Sequence, residues 1–181
     1  MASTIPPGGT DFAFIPIIPG KGITDEQKID FRALIDSITD SLSPNWSEHM
    51  DMGRADPKFM YNQHSRSISL DFKIISLKKG EHIKHMEAMN SLAALTYPIY
   101  KPGRGFNGIY VKMYVGDFIE VYGFISSLSF SVDNESPWID DIPIYINCSL
   151  EFRSIGKNKP DYRKPKFTGQ YNSKKFGKGA I

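Results

Sequence analysis

The chain has 181 residues, 40% hydrophobic and 13% aromatic, with a net charge of +2. Such a composition describes one domain with ample material for a packed core and excludes global disorder. The longest apolar run, Phe12 to Ile18, is broken by Pro16 and falls far short of the roughly 20 residues of a membrane span.

Charge is split along the chain. Residues 156–181 carry eight Lys and Arg against one acid, Asp161, which is +7; the remainder holds 14 basic and 19 acidic groups, which is −5. A mildly acidic body and a strongly basic tail are expected to meet different partners, or each other across subunits. The opening MASTIPPGGT lacks a basic region and an apolar stretch, so no secretory signal is expected. The single cysteine, Cys148, permits no internal disulfide and suits synthesis in a reducing compartment.

Residues 1–30 read as an extended arm, rich in proline and glycine as far as residue 22. Phe12, Phe14, Ile15, Ile17 and Ile18 are its anchors. An arm this apolar is expected to dock on something. Thr24 to Gln27 has the form of a helix capping box, followed by Ile29. Residues 31–42 are ambiguous. Phe31, Ile35, Ile38 and Leu42 fit a helical stripe, whereas Leu34, Asp36, Ile38, Asp40 and Leu42 would share one strand face. The strand faces segregate poorly, so periodicity favours the helix by a small margin. Pro44-Asn45 then interrupts the chain, and Gly53 to Pro57 is a turn.

From Ser67 the pattern is a half-buried strand. Ile68, Leu70, Phe72 and Ile74 point one way; Ser67, Ser69, Asp71 and Lys73 point the other. A helix is predicted from Glu81 to Tyr97, with Ile83, Met86, Met89, Leu92 or Ala93, and Leu95 as its buried stripe. Glu81 lies near its positive start and Pro98 stops it. Lys101 to Gly108 reads as an irregular loop, and further strands are predicted at 109–115, 119–132 and 142–155. The order predicts an α+β or mainly-β fold with the helix covering one sheet face.

Candidate chemistry is sparse. His82 and His85, at i and i+3, are a potential metal pair, but no third ligand is evident and the spacing is not H-E-x-x-H. The stretch PGRGFNG lacks the G-K-[ST] ending of a phosphate loop and precedes a strand. Ser126, Ser127, Ser129 and Ser131 interleave with apolar residues as outward strand positions do, with no G-x-S-x-G elbow. Asp140-Asp141 sits in a turn before Pro143, without a second carboxylate pair. The expectation is therefore no catalytic residue, no metal and no cofactor.

The basic tail interleaves Tyr162, Phe167, Tyr171 and Phe176 with its cations. Positive charge plus stacking rings fits nucleic acid. The same rings, four or five residues apart, also fit docking on a protein. Among the charged residues of the body, Arg54, Asp56 and Arg66 stand out: a guanidinium beside a carboxylate can lock a turn or bridge two subunits. Trp138, after Pro137, reads as a rigid aromatic anchor, on the core or on a neighbour.

A set of segments carries a family resemblance. SPNWSEHMDMGRADPKFMY (Ser43 to Tyr61) is followed by SRSISLDFKI, then by a helix ending LAALTYP. VKMYVGDFIEVYGFISSLSFSVDNESPWI and IPIYINCSLEFRSIG complete the set. In this order, over residues 31–156, they resemble the tail tube initiators, the baseplate tail-tube junction proteins of contractile-tailed bacteriophages. The shared markers are W-x-E before G-R-x-D-P, an R-x-I-S strand, V-K-x-x-x-G-D, G-F-I-S-S-L and S-P-W.

The resemblance implies a tail-tube-like β-barrel or sandwich with one flanking α-helix, and a strand, not a helix, over 31–42. It implies a homohexameric ring without enzymatic activity, in the virion after synthesis in the bacterial host cytoplasm. Its implied partners are the major tail tube protein, baseplate hub and wedge proteins and the sheath. DNA would pass through the lumen without specific binding, and no membrane is involved. Arg54, Asp56, Arg66 and Trp138 become candidates for the subunit interface. The N-terminal arm and the tail at 157–181 have no counterpart in the resemblance, which leaves initiator, second junction ring, tube protein and terminator as alternatives. A nucleic-acid-binding protein acting through the tail is the reading from a different class.

Overall fold

A computed structural model describes residues 10–18, 22–23, 28–76, 79–101, 105–116, 118–132, 136–139 and 142–156. Eleven strands and one helix follow in chain order. They are β1 (Thr10–Ile18), β2 (Gly22–Ile23), β3 (Ile29–His49), β4 (Lys58–Ile75), α1 (Lys79–Ala94), β5 (Ile99–Lys101) and β6 (Gly105–Asn107). Then come β7 (Tyr110–Val115), β8 (Ile119–Ser131), β9 (Trp138–Ile139), β10 (Ile142–Pro143) and β11 (Tyr145–Ser154). The fold is mainly β, one seven-stranded antiparallel sheet in the order β2-β1-β3-β4-β11-β8-β7, with a single described helix.

The sheet curls until β1 pairs with β7 as well as with β3. It is not closed into a barrel. β1 bridges β3 only as far as Ala33, and β7 accompanies β8 only as far as Gly123. The expected closed barrel or two-sheet sandwich is thus replaced by one curled sheet whose β3 and β8 margins diverge. Gly123 marks where β8 passes from β11 to β7. A Cβ there would lie 2.0 Å from the Arg153 carbonyl oxygen, so only glycine lets the strands approach.

The described part of the arm that forms β1 docks on its own chain. Phe12 and Phe14 are fully buried on β1, and the Phe12 ring meets Phe72 edge-on at 4.7 Å. Burying one such ring stabilises by about 1.5–3 kcal/mol, which explains why this segment does not stay in water. The Thr24 to Gln27 capping box lies outside the described residues. Residues 31–42 are strand. The helical option fails because β4 offers β3 a complete ladder from Ala33↔Ile74 to His49↔Lys58, with bulges that realign its apolar side chains.

Across β3, β4, β11 and β8 the side chains form cross-strand rows. Ile38, Leu70, Leu150 and Leu128 make one row on the core side; Ser37, Asp71, Ser149 and Ser129 make the next, on the polar side.

The helix is rotated from its expected setting. Leu92 and Leu95 are buried and fix its phase. Ile83 precedes Leu92 by nine residues, about 180° around the helix at 3.6 residues per turn, and so faces water at 64% exposure. Met86 is also exposed, whereas His82 is buried and His85 half-buried. A hydrogen bond of 2.6 Å between Ser76 Oγ and His85 Nδ1 satisfies one inward histidine. Part of the expected 101–108 loop is instead a hairpin, β5 against β6.

Candidate functional site

β3 and β4 continue together well past the sheet. β11 accompanies β4 only to Ser67, while the β3–β4 ladder runs on to His49↔Lys58. The result is a two-stranded ribbon, residues 42–66, closed by the turn at 50–57. Gly53 takes a positive φ of 88° there, which a glycine tolerates without strain. The Arg54 amide donates to the Asp51 carbonyl at 3.2 Å, and Asp51 pairs with Lys58 and, at 3.5 Å, with His49.

At the ribbon's root stands a buried ion pair. Arg66 Nε donates to Asp40 Oδ1 at 2.7 Å and Nη2 to Oδ2, with the two side chains only 2% and 11% exposed. The fork geometry matches guanidinium to carboxylate in parallel bonds. Position explains the pair. Ile68 and Asp40 are the last rung backed by the core, and Leu42↔Arg66 is the first rung of the ribbon. Below it β4 alternates buried and half-buried; above it every β4 side chain is exposed.

Beyond this seal the core-side face of the ribbon carries large apolar side chains beside His64 and Glu48. Trp46 and Tyr61 pair edge-to-face at 5.0 Å, with Phe59 one rung further, opposite Glu48. All three rings are exposed, as are Met50, Met52 and Met60 near the tip. Large apolar side chains gathered in water on a projecting element mark a contact surface.

The opposite face of the four-stranded part is hydroxyl-rich. Ser149 Oγ and Ser37 Oγ donate to the two oxygens of Asp71, at 2.6 and 2.7 Å, and together hold its carboxyl below the usual aspartate range. Lys73 pairs with Asp36 at 3.4 Å and Arg153 with Glu151 at 3.8 Å, so the fixed charges of this face are largely matched. No other described strand lies along β3 beyond Ala33 or along β8 beyond Gly123. Among the described residues the four-stranded sheet therefore ends in two margins without a neighbouring strand, one on each side.

The sequence-singled residues fall in different places. Arg54 and Asp56 are exposed in the ribbon turn, whose ion pairs among the described residues are those of Asp51. Arg66 is buried and engaged within the chain. Trp138 is exposed on β9, beside the opposite end of the sheet from the ribbon. Tyr162, Phe167, Tyr171, Phe176, Asp140 and Asp141 lie outside the described residues.

His82 and His85 both face inward, and the described residues hold no group of three or more metal-ligating side chains. No described helix is long and apolar enough to cross a membrane. The ribbon's rings escaped sequence reasoning, although Phe59-Met60-Tyr61 was a signal: three large apolar residues in succession cannot all face one core. Comparison with protein-family models and with curated proteins finds no match to this chain.

Proposed function

We propose that the chain is a structural protein of a contractile bacteriophage tail, a ring subunit that initiates or joins the tail tube at the baseplate. The observation that carries the reading is the four-stranded sheet β3-β4-β11-β8, whose two margins have no neighbouring strand among the described residues. Its strands alternate in direction, and four is even, so a copy placed alongside meets β8 with an antiparallel β3. Repetition around an axis then continues one antiparallel sheet without a fault, and closure removes every open edge. The barrel of the tube belongs to the assembly in this reading.

Six copies would give 24 strands. At about 4.8 Å between strands the wall is about 115 Å around and about 37 Å across, and strand tilt widens it further. Such a bore admits a nucleic-acid duplex. The hydroxyl-rich face would line it, with its carboxylates satisfied by serines or matched by cations. A surface of that kind does not retain phosphates as a basic groove does. The ribbon and the Trp138 end supply contacts to other copies, to the major tube protein and to the baseplate.

The experiment is mass photometry and negative-stain microscopy of the purified full chain, alone and with tube and hub proteins. Rings of about six subunits are expected. A chain that stays monomeric even with those partners overturns the proposal.

A further inference from the structure

We infer that the apolar side of the ribbon is covered by a second copy of this chain, which brings the corner formed by Tyr110, Phe124 and Ile155 against Trp46, Phe59 and Tyr61. The inference rests on the ring reading and specifies its lateral contact.

Three observations select this occupant. The first is edge length. Among the described residues, the stretch of β3 without an outer neighbour, 34–49, is twice that of β8, 124–131. A copy that pairs its β8 margin with β3 therefore leaves part of β3, and the ribbon built on it, reaching past its own sheet. The ribbon cannot avoid that copy's body.

The second is level. Ser41, Ser67, Arg153 and Phe124 lie on one cross-strand row, so Phe124 stands at the height of the ribbon's base. The Ile155 amide donates to the Tyr122 carbonyl at 2.8 Å, and Tyr110 precedes the Val111↔Gly123 rung, which keeps the three residues at one corner. The stagger that any closed sheet needs decides how far along the ribbon this corner reaches.

The third is facing. At Gly123 β8 leaves the open margin and curls with β7 over the core. The outer side of that curl, where Tyr110, Phe124 and Ile155 are exposed, flanks the margin that an incoming β3 must approach. Each open margin thus has an apolar patch beside it, one on the ribbon and one on the curl. Two different patches that meet head to tail are the requirement of a heterologous, ring-forming interface.

The chain's single cysteine, Cys148, is buried, so introduced cysteines are the accessible thiols. Full-length protein carrying Trp46→Cys and Tyr110→Cys should give disulfide-linked ladders up to the ring size under mild oxidation. Trp46→Cys with Trp138→Cys, at opposite ends of the sheet, should not. In a second measurement Trp138→Phe leaves Trp46 as the sole tryptophan, and its emission should shift to the blue on assembly. Rings that form with Trp46→Cys unlinked and freely alkylated, or with Trp46 emission unchanged, overturn this inference and leave the ring reading standing. A wild-type chain that forms no oligomer overturns both.

Discussion

Replacing Arg66 by alanine tests the root of the ribbon. Both partners of the Arg66–Asp40 pair are withdrawn from water, at 2% and 11% exposure, and two parallel hydrogen bonds join them. Removing the guanidinium takes both of these charge-assisted hydrogen bonds from a poorly hydrated carboxylate, a loss of about 3–5 kcal/mol. With a urea m-value of about 2 kcal/mol per molar, the unfolding midpoint should fall by about 1.5–2.5 M. The comparison is Arg66→Met with Asp40→Leu. An apolar pair of similar volume leaves no unpaired charge, so the double variant should lie close to wild type or above it. The assay is urea unfolding followed by circular dichroism at one fixed protein concentration, because assembly adds to apparent stability. If Arg66→Ala loses less than about 1 kcal/mol, the pair is not the buried seal described above. If the double variant is no better than the single, the penalty does not arise from a stranded charge.

Other consequences are equally direct. Burial works against the charge of Lys112, but Glu120 at 2.7 Å and the Tyr114 and Tyr122 side chains together hold its ammonium above the ordinary lysine range. The folded protein thus keeps that proton longer than the unfolded chain. The associated stability is complete below about pH 10.4 and is lost as pH rises beyond it, and Lys112→Met should flatten this alkaline limb in pH-dependent unfolding. Ser149→Ala and Ser37→Ala together should raise the Asp71 carboxyl toward the usual aspartate value in carbon-detected NMR titration; an unmoved titration would refute the serine contribution. Burial pushes the Cys148 thiol up to about 12, so a thiol reagent at neutral pH should label it only in the unfolded protein. Proline at Leu128 and, separately, at Ser129 should divide folding from assembly. Successive N–H groups of a strand point to opposite sides, so one variant breaks the ladder to β11 and unfolds, while the other blocks only the open margin and stays monomeric.

The sequence discloses the fold where one face is buried and the other wet. Ile68, Leu70, Phe72 and Ile74 alternate with Ser67, Ser69, Asp71 and Lys73, and the structure keeps that alternation from Ser67 to Ile74, where β4 has a strand on each side. It discloses less where two strands rely on each other. The pattern of β3 is blurred by a bulge at Ile35/Ser37, where Asp36 is an extra residue that shifts the period; at Asn45/Trp46 the extra residue, Asn62, belongs to β4 and shifts the period there. The helix was misread for a related reason. A stripe drawn through Ile83 and Met86 is the best apolar stripe of the isolated segment, but Leu92 and Leu95 reach the core and decide the rotation. The ribbon's exposed rings were illegible as such, because a period-based reading assigns every large apolar side chain to a core within the same chain. Arg66 was visible as unusual, but its partner, 26 residues away, becomes adjacent only through the β3–β4 register.

The composition of the β8 margin bears on why an assembly is the economical reading. Phe124 to Ser131 contains no charged residue and no proline. Proteins that remain single usually guard an edge strand with lysine, proline or a bulge placed to repel a second chain. β8 has one bulge, at Ser126 opposite Glu151/Phe152, so of these devices the stretch carries a bulge but neither lysine nor proline. Across the sheet, the length of β3 without a described outer neighbour includes Pro44 and passes into a ribbon whose large apolar side chains are exposed. A monomer with both features would carry two adhesive margins. In the proposed ring, identical copies arranged head to tail would satisfy each margin with the other.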